Sequence, residues 1–223
     1  LNQPVHGTSP RLRKDGTRRY RRAGVWIPKK SGKTSMSAGI CLYLLVGDGE
    51  PGAQVFSAAN DRNQAAYIYR DCAAHVKQSP DLAGILDLVD SKKRINHVQQ
   101  NAYYEALSAD VPTKEGLNIS GLVVDELHAI QNRALWSTLA YGGASRRQPL
   151  LLSISTAGIY DPASIGWEQY QYARRVRDGA VEDWSFFQLI YEADPKDDWT
   201  DPKVWERTNP GWGTTAKIDA FHE

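Results

Sequence analysis

Much of what this chain can become is dictated by Trp26-Ile27-Pro28-Lys29-Lys30-Ser31-Gly32-Lys33-Thr34, where a short β-prone run breaks into a glycine and lysine turn that opens a long apolar helix. A strand, a glycine turn and a helix in that order form a phosphate-binding (Walker A) loop. Gly32 lets the backbone approach an anion, and the first N–H groups of the helix lack internal partners. Lys33 can reach the β and γ phosphates and the Thr34 hydroxyl can ligate Mg²⁺; Lys29, Lys30, Ser31 and Ser35 flank them as further nucleotide-contacting candidates. The full pattern G-x-x-x-x-G-K-[ST] puts glycine where Ile27 stands, so Gly32-Lys33-Thr34 is half a motif. The same tripeptide also opens helices that bind nothing.

At 223 residues the chain can bury a substantial core, and one α/β-sized domain fits that length better than two small ones. Hydrophobic and charged contents of 41% and 24% are those of an ordinary globular protein, and a net charge of +1 makes no global case for nucleic acid. The charge is unevenly spread. Arg11, Arg13, Lys14, Arg18, Arg19, Arg21 and Arg22 face only Asp15 nearby, whereas the tail is acidic through Glu192, Asp194, Asp197, Asp198, Asp201 and Glu206. The basic run reads either as a solvated arm or as a surface that tracks phosphates. Cys41 and Cys72 lie in helix-like segments without metal-ligand spacing, which fits reduced, packed thiols. No apolar run approaches the length of a membrane span and no signal peptide is present, so no membrane is expected and the sequon Asn118-Ile119-Ser120 carries no meaning. A start at Leu1 and a stop inside a helical pattern after Ala216 suggest a trimmed piece of something longer.

In chain order, Gly24 to Pro28 predicts a strand and Lys33 to Val46 the helix after the loop, ended by Gly47-Asp48-Gly49. Ala53 to Ala58 predicts a second strand, and an Asn60/Asp61 cap opens a helix to about Gln78 on Ala65, Ile68, Tyr69, Cys72 and Val76. A short helix from Pro80 to Leu86 follows, then strand material at Arg94 to Asn96 and Ala102 to Leu107. Gly121-Leu122-Val123-Val124-Asp125-Glu126 is an apolar run ending in two carboxylates, as in a parallel strand buried on both faces with its ligand site beyond the carboxyl end. Asp125 in such a (Walker B) pair supports Mg²⁺ and Glu126 polarises the attacking water, although an ordinary strand ending in a capping Asp and a solvated Glu has the same sequence. A helix from Arg133 to Tyr141, a strand from Leu150 to Ser155, a helix from Ile165 to Asp178 and a strand from Ser185 to Tyr191 complete the pattern. Ser155-Thr156-Ala157-Gly158, at a strand's carboxyl end, could sense the γ-phosphate through Thr156, or be a plain polar junction. His128 reads as a packed or hydrogen-bonded histidine rather than a ligand, and Trp199, Trp205 and Trp212 as packing for a lid or linker.

Taken together, these sites resemble the large terminase subunit of tailed bacteriophages, the ATPase motor that packages DNA into a capsid. The resemblance spans most of the chain. It is carried by Arg18-Arg19-Tyr20-Arg21-Arg22, Pro28 to Thr34, Val124-Asp125-Glu126-Leu127-His128-Ala129, Gln148-Pro149-Leu150, Ser155 to Gly158 and Asp197-Asp198-Trp199. Such terminases have a variant loop without the first glycine. The resemblance implies that Lys33 and Thr34 bind ATP and Mg²⁺, that Asp125 supports the metal, that Glu126 is the catalytic carboxylate, and that Ser155 to Gly158 couples hydrolysis to movement. The family often has a γ-phosphate-contacting arginine where Lys29 stands, and lysine is a point charge that cannot reproduce a bidentate guanidinium. Gln3, the only glutamine upstream of the loop, falls to the family's adenine-recognising position.

The expected fold is α/β: a doubly wound, mainly parallel sheet of the RecA-like P-loop class with an additional strand and a catalytic Glu. Residues 1–23 form a basic arm, 24–192 the ATPase core, and 193–223 a lid or linker leading to a nuclease domain that lies outside this chain; no nuclease activity is expected here. The expected partners are double-stranded DNA, further copies in a homo-oligomeric ring, and, by resemblance, the small terminase subunit and the portal of the procapsid, in the host cytoplasm. Arg146 and Arg147 are candidates for a catalytic finger reaching a neighbouring subunit, with Lys114 behind them, against simple surface solvation. Two other classes share the motifs: a helicase-like enzyme or nucleotide kinase, and a nucleotide-binding assembly module that does not hydrolyse.

Overall fold

The computed structural model describes residues 12–59, 62–108, 116–158 and 160–215. Eight strands form one sheet: β1 (Arg22–Trp26), β2 (Gln54–Ala59), β3 (Asp87–Val89), β4 (Arg94–His97), β5 (Ala102–Ser108), β6 (Gly121–Val124), β7 (Leu150–Ser155) and β8 (Phe186–Ile190). Their order is β3-β4-β5-β2-β6-β7-β1-β8, parallel from β5 to β8 with an antiparallel β3-β4-β5 edge. The helices are α1 (Lys33–Val46), α2 (Arg62–Gln78), α3 (Pro80–Ala83), α4 (Arg133–Tyr141), α5 (Ile165–Arg177) and α6 (Pro202–Thr208).

Alternation along the strands divides the core into two layers, because successive side chains point to opposite faces. Val25, Val55, Tyr104, Val123, Leu152 and Ile154 pack under Cys41, Leu44 and Leu45 of α1 and Ile68, Tyr69 and Cys72 of α2. Phe56, Leu122 and Val124 face the other way, onto Leu135 and Leu139 of α4 and Ile165 of α5, while Trp26, Phe186 and Ile190 meet Ala173. Both faces of the central strands are therefore covered, which is why β6 reads as an unbroken apolar run. Each such side chain contributes about 1.5–3 kcal/mol when fully buried. The opposite placement of α1 and α5 follows from right-handed crossovers: the chain leaves β1 toward β2 in one direction and passes from β7 to β8 in the other.

Most expected elements fall in place within a few residues. The first strand begins earlier than expected, at Arg22, because pairing with β7 and β8 starts there, and it ends before Pro28, which has no N–H to donate. Arg22 and Ala23 are thus sheet residues rather than part of an arm. Their neighbours are also held. Arg18 pairs with Asp48 and donates to Gln148 O at 2.9 Å, Arg19 donates to Trp184 O at 3.0 Å, and Arg21 donates to Arg147 O at 2.9 Å. From Arg18 onward the basic run is packed on the sheet's amino edge and is not a solvated arm; Arg11 lies outside the described residues. The helix after Ser79 stops at Ala83 because Gly84 caps it and the chain then enters β3, whose three residues are too short for a visible alternation. In α6, Asp201 accepts the Lys203 N–H at 2.9 Å and Pro202 takes the first turn, an Asp-Pro start signal in the sequence. The Trp205 and Trp212 rings meet at a tilt with centroids 6.2 Å apart, whereas Trp199 is exposed.

Candidate functional site

Parallel register brings the motif ends to one edge. Trp26 lies beside Ser155 and Val124 beside Ser153, so the loop after β1, Asp125-Glu126 after β6 and Thr156 after β7 all emerge at the carboxyl edge. The Ile27 N–H still bonds Ser155 O at 3.1 Å, which fixes the loop's root to β7.

Within the loop, Lys30 (φ 63°) and Gly32 (φ 74°) both adopt left-handed backbone. Gly32 is the residue before α1, where that conformation is strained for any side chain, and the space around it is open. Lys33 is buried, its Nζ donating to Pro28 O at 3.3 Å and to Ile27 O at 3.5 Å. Burial lowers its pKa, opposed by the charges of Glu126 and Asp125 and reinforced slightly by Lys29. A lysine so placed, curled back onto its own loop among backbone carbonyls, has its charge ready for an anion. The Ser31 hydroxyl is buried without a partner, an orphan polar group at the loop's crest. Ser35 is different. Its hydroxyl donates to Asp71 of α2 at 2.9 Å, so it ties two helices together and is not available as a nucleotide contact in this arrangement.

Asp125 is 8% exposed and continues the ladder by donating its N–H to Ala58 O at 2.9 Å. Its carboxyl is pushed above the usual carboxylate range by burial and then by the neighbouring Glu126 charge, with the Glu126 N–H bond, Lys33 and His128 acting the other way. A divalent cation would offset that penalty. Glu126 follows with φ 49° and ψ 51°, a left-handed non-glycine residue that costs about 1–2 kcal/mol and turns its side chain out of the strand direction. Its Oε2 accepts from Thr156 Oγ1 at 3.3 Å and lies 3.2 Å from His128 Nδ1. Open space at Gly32, the orphaned Ser31 hydroxyl and the buried, unfavourably charged Asp125 together fit a triphosphate with Mg²⁺.

The structure brings together Lys33, Asp125, Glu126 and Thr156, with Thr34 at the start of α1. Lys29 and Lys30 stand exposed at the loop's rim. Gln3 and Lys114 lie outside the described residues. Arg146 is placed elsewhere: at the amino edge its guanidinium donates to Asn118 O at 3.0 Å, Pro51 O at 3.0 Å and Gly52 O at 2.7 Å, beside Glu50. In this arrangement its donors are engaged by three carbonyls of the same chain. Arg147 is exposed and donates to Asp15 O at 3.2 Å.

Sequence reasoning did not see how closely two glycines approach the backbone and Cβ of His128, a residue that is itself exposed. A Cβ at Gly158 would stand 2.6 Å from His128 Cβ, and one at Gly166 would stand 2.6 Å from His128 Cα. The signal was two glycines with no turn to explain them, one of them in the first turn of α5. Gly166→Ala must push the 3₁₀ turn Leu127–Ala129 or α5 aside, at a cost of about 1–3 kcal/mol. Gly39→Ala in α1 meets nothing and should stabilise by about 0.5–1 kcal/mol. Thermal unfolding of the two variants should therefore shift in opposite directions. Beside His128 lies a cavity of about 420 Å³ with aromatic walls, including Trp26, Trp167 and Tyr170, opening toward Lys29 and Thr156.

Fold and site together define an α/β domain of the RecA-like phosphate-loop class. The family model described as the terminase large subunit, ATPase domain, matches residues 4–175, and the chain belongs to that family. It is 31% identical over 195 residues to the large terminase subunit of Enterobacteria phage HK97, covering 84% of this chain and 37% of the relative. The crystal structure of the HK97 large terminase superposes with a TM-score of 0.79 at 27% identity, covering 93% of this chain and 42% of that one. Protein YmfN of Escherichia coli K12 is 39% identical over 94 residues, 42% of this chain and 20% of the relative. A large terminase from a thermophilic bacteriophage, solved in complex with ADP, shares the fold at 15% identity, with a TM-score of 0.53, 76% of this chain and 40% of that one. The chain spans about two fifths of the length of the HK97 protein.

Proposed function

We propose that this domain hydrolyses ATP with Mg²⁺ to drive double-stranded viral DNA into a procapsid. The observation that carries the reading is the convergence of Lys33, Asp125, Glu126 and Thr156 at one sheet edge beside an open phosphate loop. Lys33 and the N–H groups opening α1 bind the β and γ phosphates, which are the groups a cation and a helix N-terminus attract. Thr34 and Asp125 would hold Mg²⁺, which would supply charge neutralisation on the phosphates. Glu126 orients and polarises the attacking water through the oxygen not occupied by Thr156 and His128. Thr156, bonded to that same carboxylate, is placed to register the γ-phosphate.

In this reading the ATPase core begins with β1 at Arg22 and runs to residue 192, and residues 193–223 lead toward a nuclease domain. The domain works in a homo-oligomeric ring with the small terminase subunit and the portal, in the host cytoplasm. No helix among the described residues is long and apolar enough to cross a membrane. A trans-acting finger, if drawn from the pair singled out in the sequence, is Arg147 and not its neighbour.

Steady-state phosphate release with and without double-stranded DNA tests the proposal. Turnover that requires Mg²⁺ and rises with DNA is expected. Nucleotide binding without turnover would favour an assembly module, and phosphorylation of a small acceptor would favour a kinase.

A further inference from the structure

His128 follows Glu126 by two residues, and its ring sits between two groups of different strands. Its Nδ1 is 2.9 Å from Ser155 Oγ and 3.2 Å from Glu126 Oε2, and its backbone N–H donates to the same Ser155 Oγ at 3.4 Å. A carboxylate oxygen only accepts, so the contact with Glu126 needs the ring proton on Nδ1. Gly158 and Gly166 pack against His128 Cβ and Cα at distances that exclude even a methyl group, which fixes the root of the side chain, while the ring borders the aromatic cavity. Ser155 is 1% exposed and is registered against Trp26, at the root of the phosphate loop. Glu126, in a backbone conformation that non-glycine residues avoid, is in turn the group that most needs holding.

We propose that His128 is a positioning residue for hydrolysis. It holds the Glu126 carboxylate toward the attacking water and ties that orientation to Ser155, so that a shift of the β7 end relative to β6 moves the carboxylate. The proposal rests on the reading of Glu126 as the carboxylate that polarises the water. The competing role is purely architectural, a side chain that only ties the turn after β6 to Ser155 of β7. The two roles differ in what they change: tying the turn sets stability, whereas positioning sets kcat at constant nucleotide affinity.

The test uses the full chain carrying this domain, with steady-state and single-turnover hydrolysis, binding of a fluorescent ATP analogue, and thermal unfolding. His128→Ala is expected to lower kcat about 10- to 100-fold, the scale of a misplaced reacting group, with KM and analogue affinity within about twofold. His128→Asn, whose amide can donate from near the Nδ1 position, should recover most of the rate. Combined with Ser155→Ala, His128→Ala should cost less than it does alone, because both act through one contact. Wild-type kcat in folded His128→Ala, a loss confined to KM, or His128→Asn as slow as His128→Ala would each overturn the proposal. Should His128→Ala fail to fold, Ser155→Ala decides: reduced kcat at unchanged KM supports it and wild-type kcat overturns it. Glu126→Gln separates the two levels of inference. Full turnover in Glu126→Gln sinks the reading of that carboxylate and this proposal with it, whereas an inactive Glu126→Gln beside a fully active His128→Ala sinks the positioning role alone.

Discussion

Lys33→Ala will abolish ATP binding, while Glu126→Gln will bind ATP and hydrolyse it about 10²- to 10⁴-fold more slowly. The two effects separate because the groups act at different moments. Lys33 is the buried cation of the loop, and in the proposed function it meets the phosphates in the ground state, so its removal would be read in affinity. Glu126 is exposed enough to meet water and is held by Thr156 and His128, and glutamine keeps its size while losing the charge that draws a proton from water. Equilibrium binding and single-turnover hydrolysis on the same preparations check both. A Glu126→Gln protein that hydrolyses at the wild-type rate with chemistry limiting would require another base.

Arg146→Ala will lower stability by about 3 kcal/mol, and at this chain length the unfolding temperature by roughly 6–12 °C. Alanine there leaves the carbonyls of Asn118, Pro51 and Gly52 without their donors and strands Glu50, 7% exposed, beside a missing cation. Arg147→Ala, which gives up one exposed bond to Asp15 O, should stay within about 0.5 kcal/mol of wild type. Thermal unfolding of the two single variants distinguishes them. An Arg146→Ala protein that melts normally, is inactive alone and regains turnover when mixed with Glu126→Gln would return this residue to the finger role.

The sequence displayed those parts of the fold whose signals are local. Lys33 to Val46 and Arg133 to Tyr141 were legible as helices because Gly32 and Asn132 open them and glycines close them. Leu150 to Ser155 was legible because Leu150, Leu151, Leu152 and Ile154, interrupted only by the small Ser153, form the near-continuous apolar run of a strand covered on both faces. The loop, Asp125, Glu126 and Thr156 were each recognisable by residue type, and parallel register then accounts for their meeting. What stayed hidden depends on contacts distant in sequence. Nothing local to Arg146 reveals that loops from residues 51–52 and 118 arrive around it, and nothing near Ser35 announces Asp71. The basic run looked like an arm because charge density is visible in sequence, whereas the partners that hold it, Gln148, Asp48 and Trp184, are about 30 to 165 residues away.

Those same partners give the two edges of the sheet different mechanical characters. Gln148 donates to Glu50 and to Asp48, accepts from Arg18, and lies next to the Arg146 clamp, so the loops leading into β1, β2, β6 and β7 are laced to one another. The opposite edge carries the phosphate loop, with open space around Gly32, and Glu126, which is held by Thr156 and His128. Displacement does work only against something that stays still, and under the translocation proposed above the laced edge is that anchorage. A partner that must ride through each cycle undisturbed belongs on the anchored edge, and a load that must be moved belongs on the other.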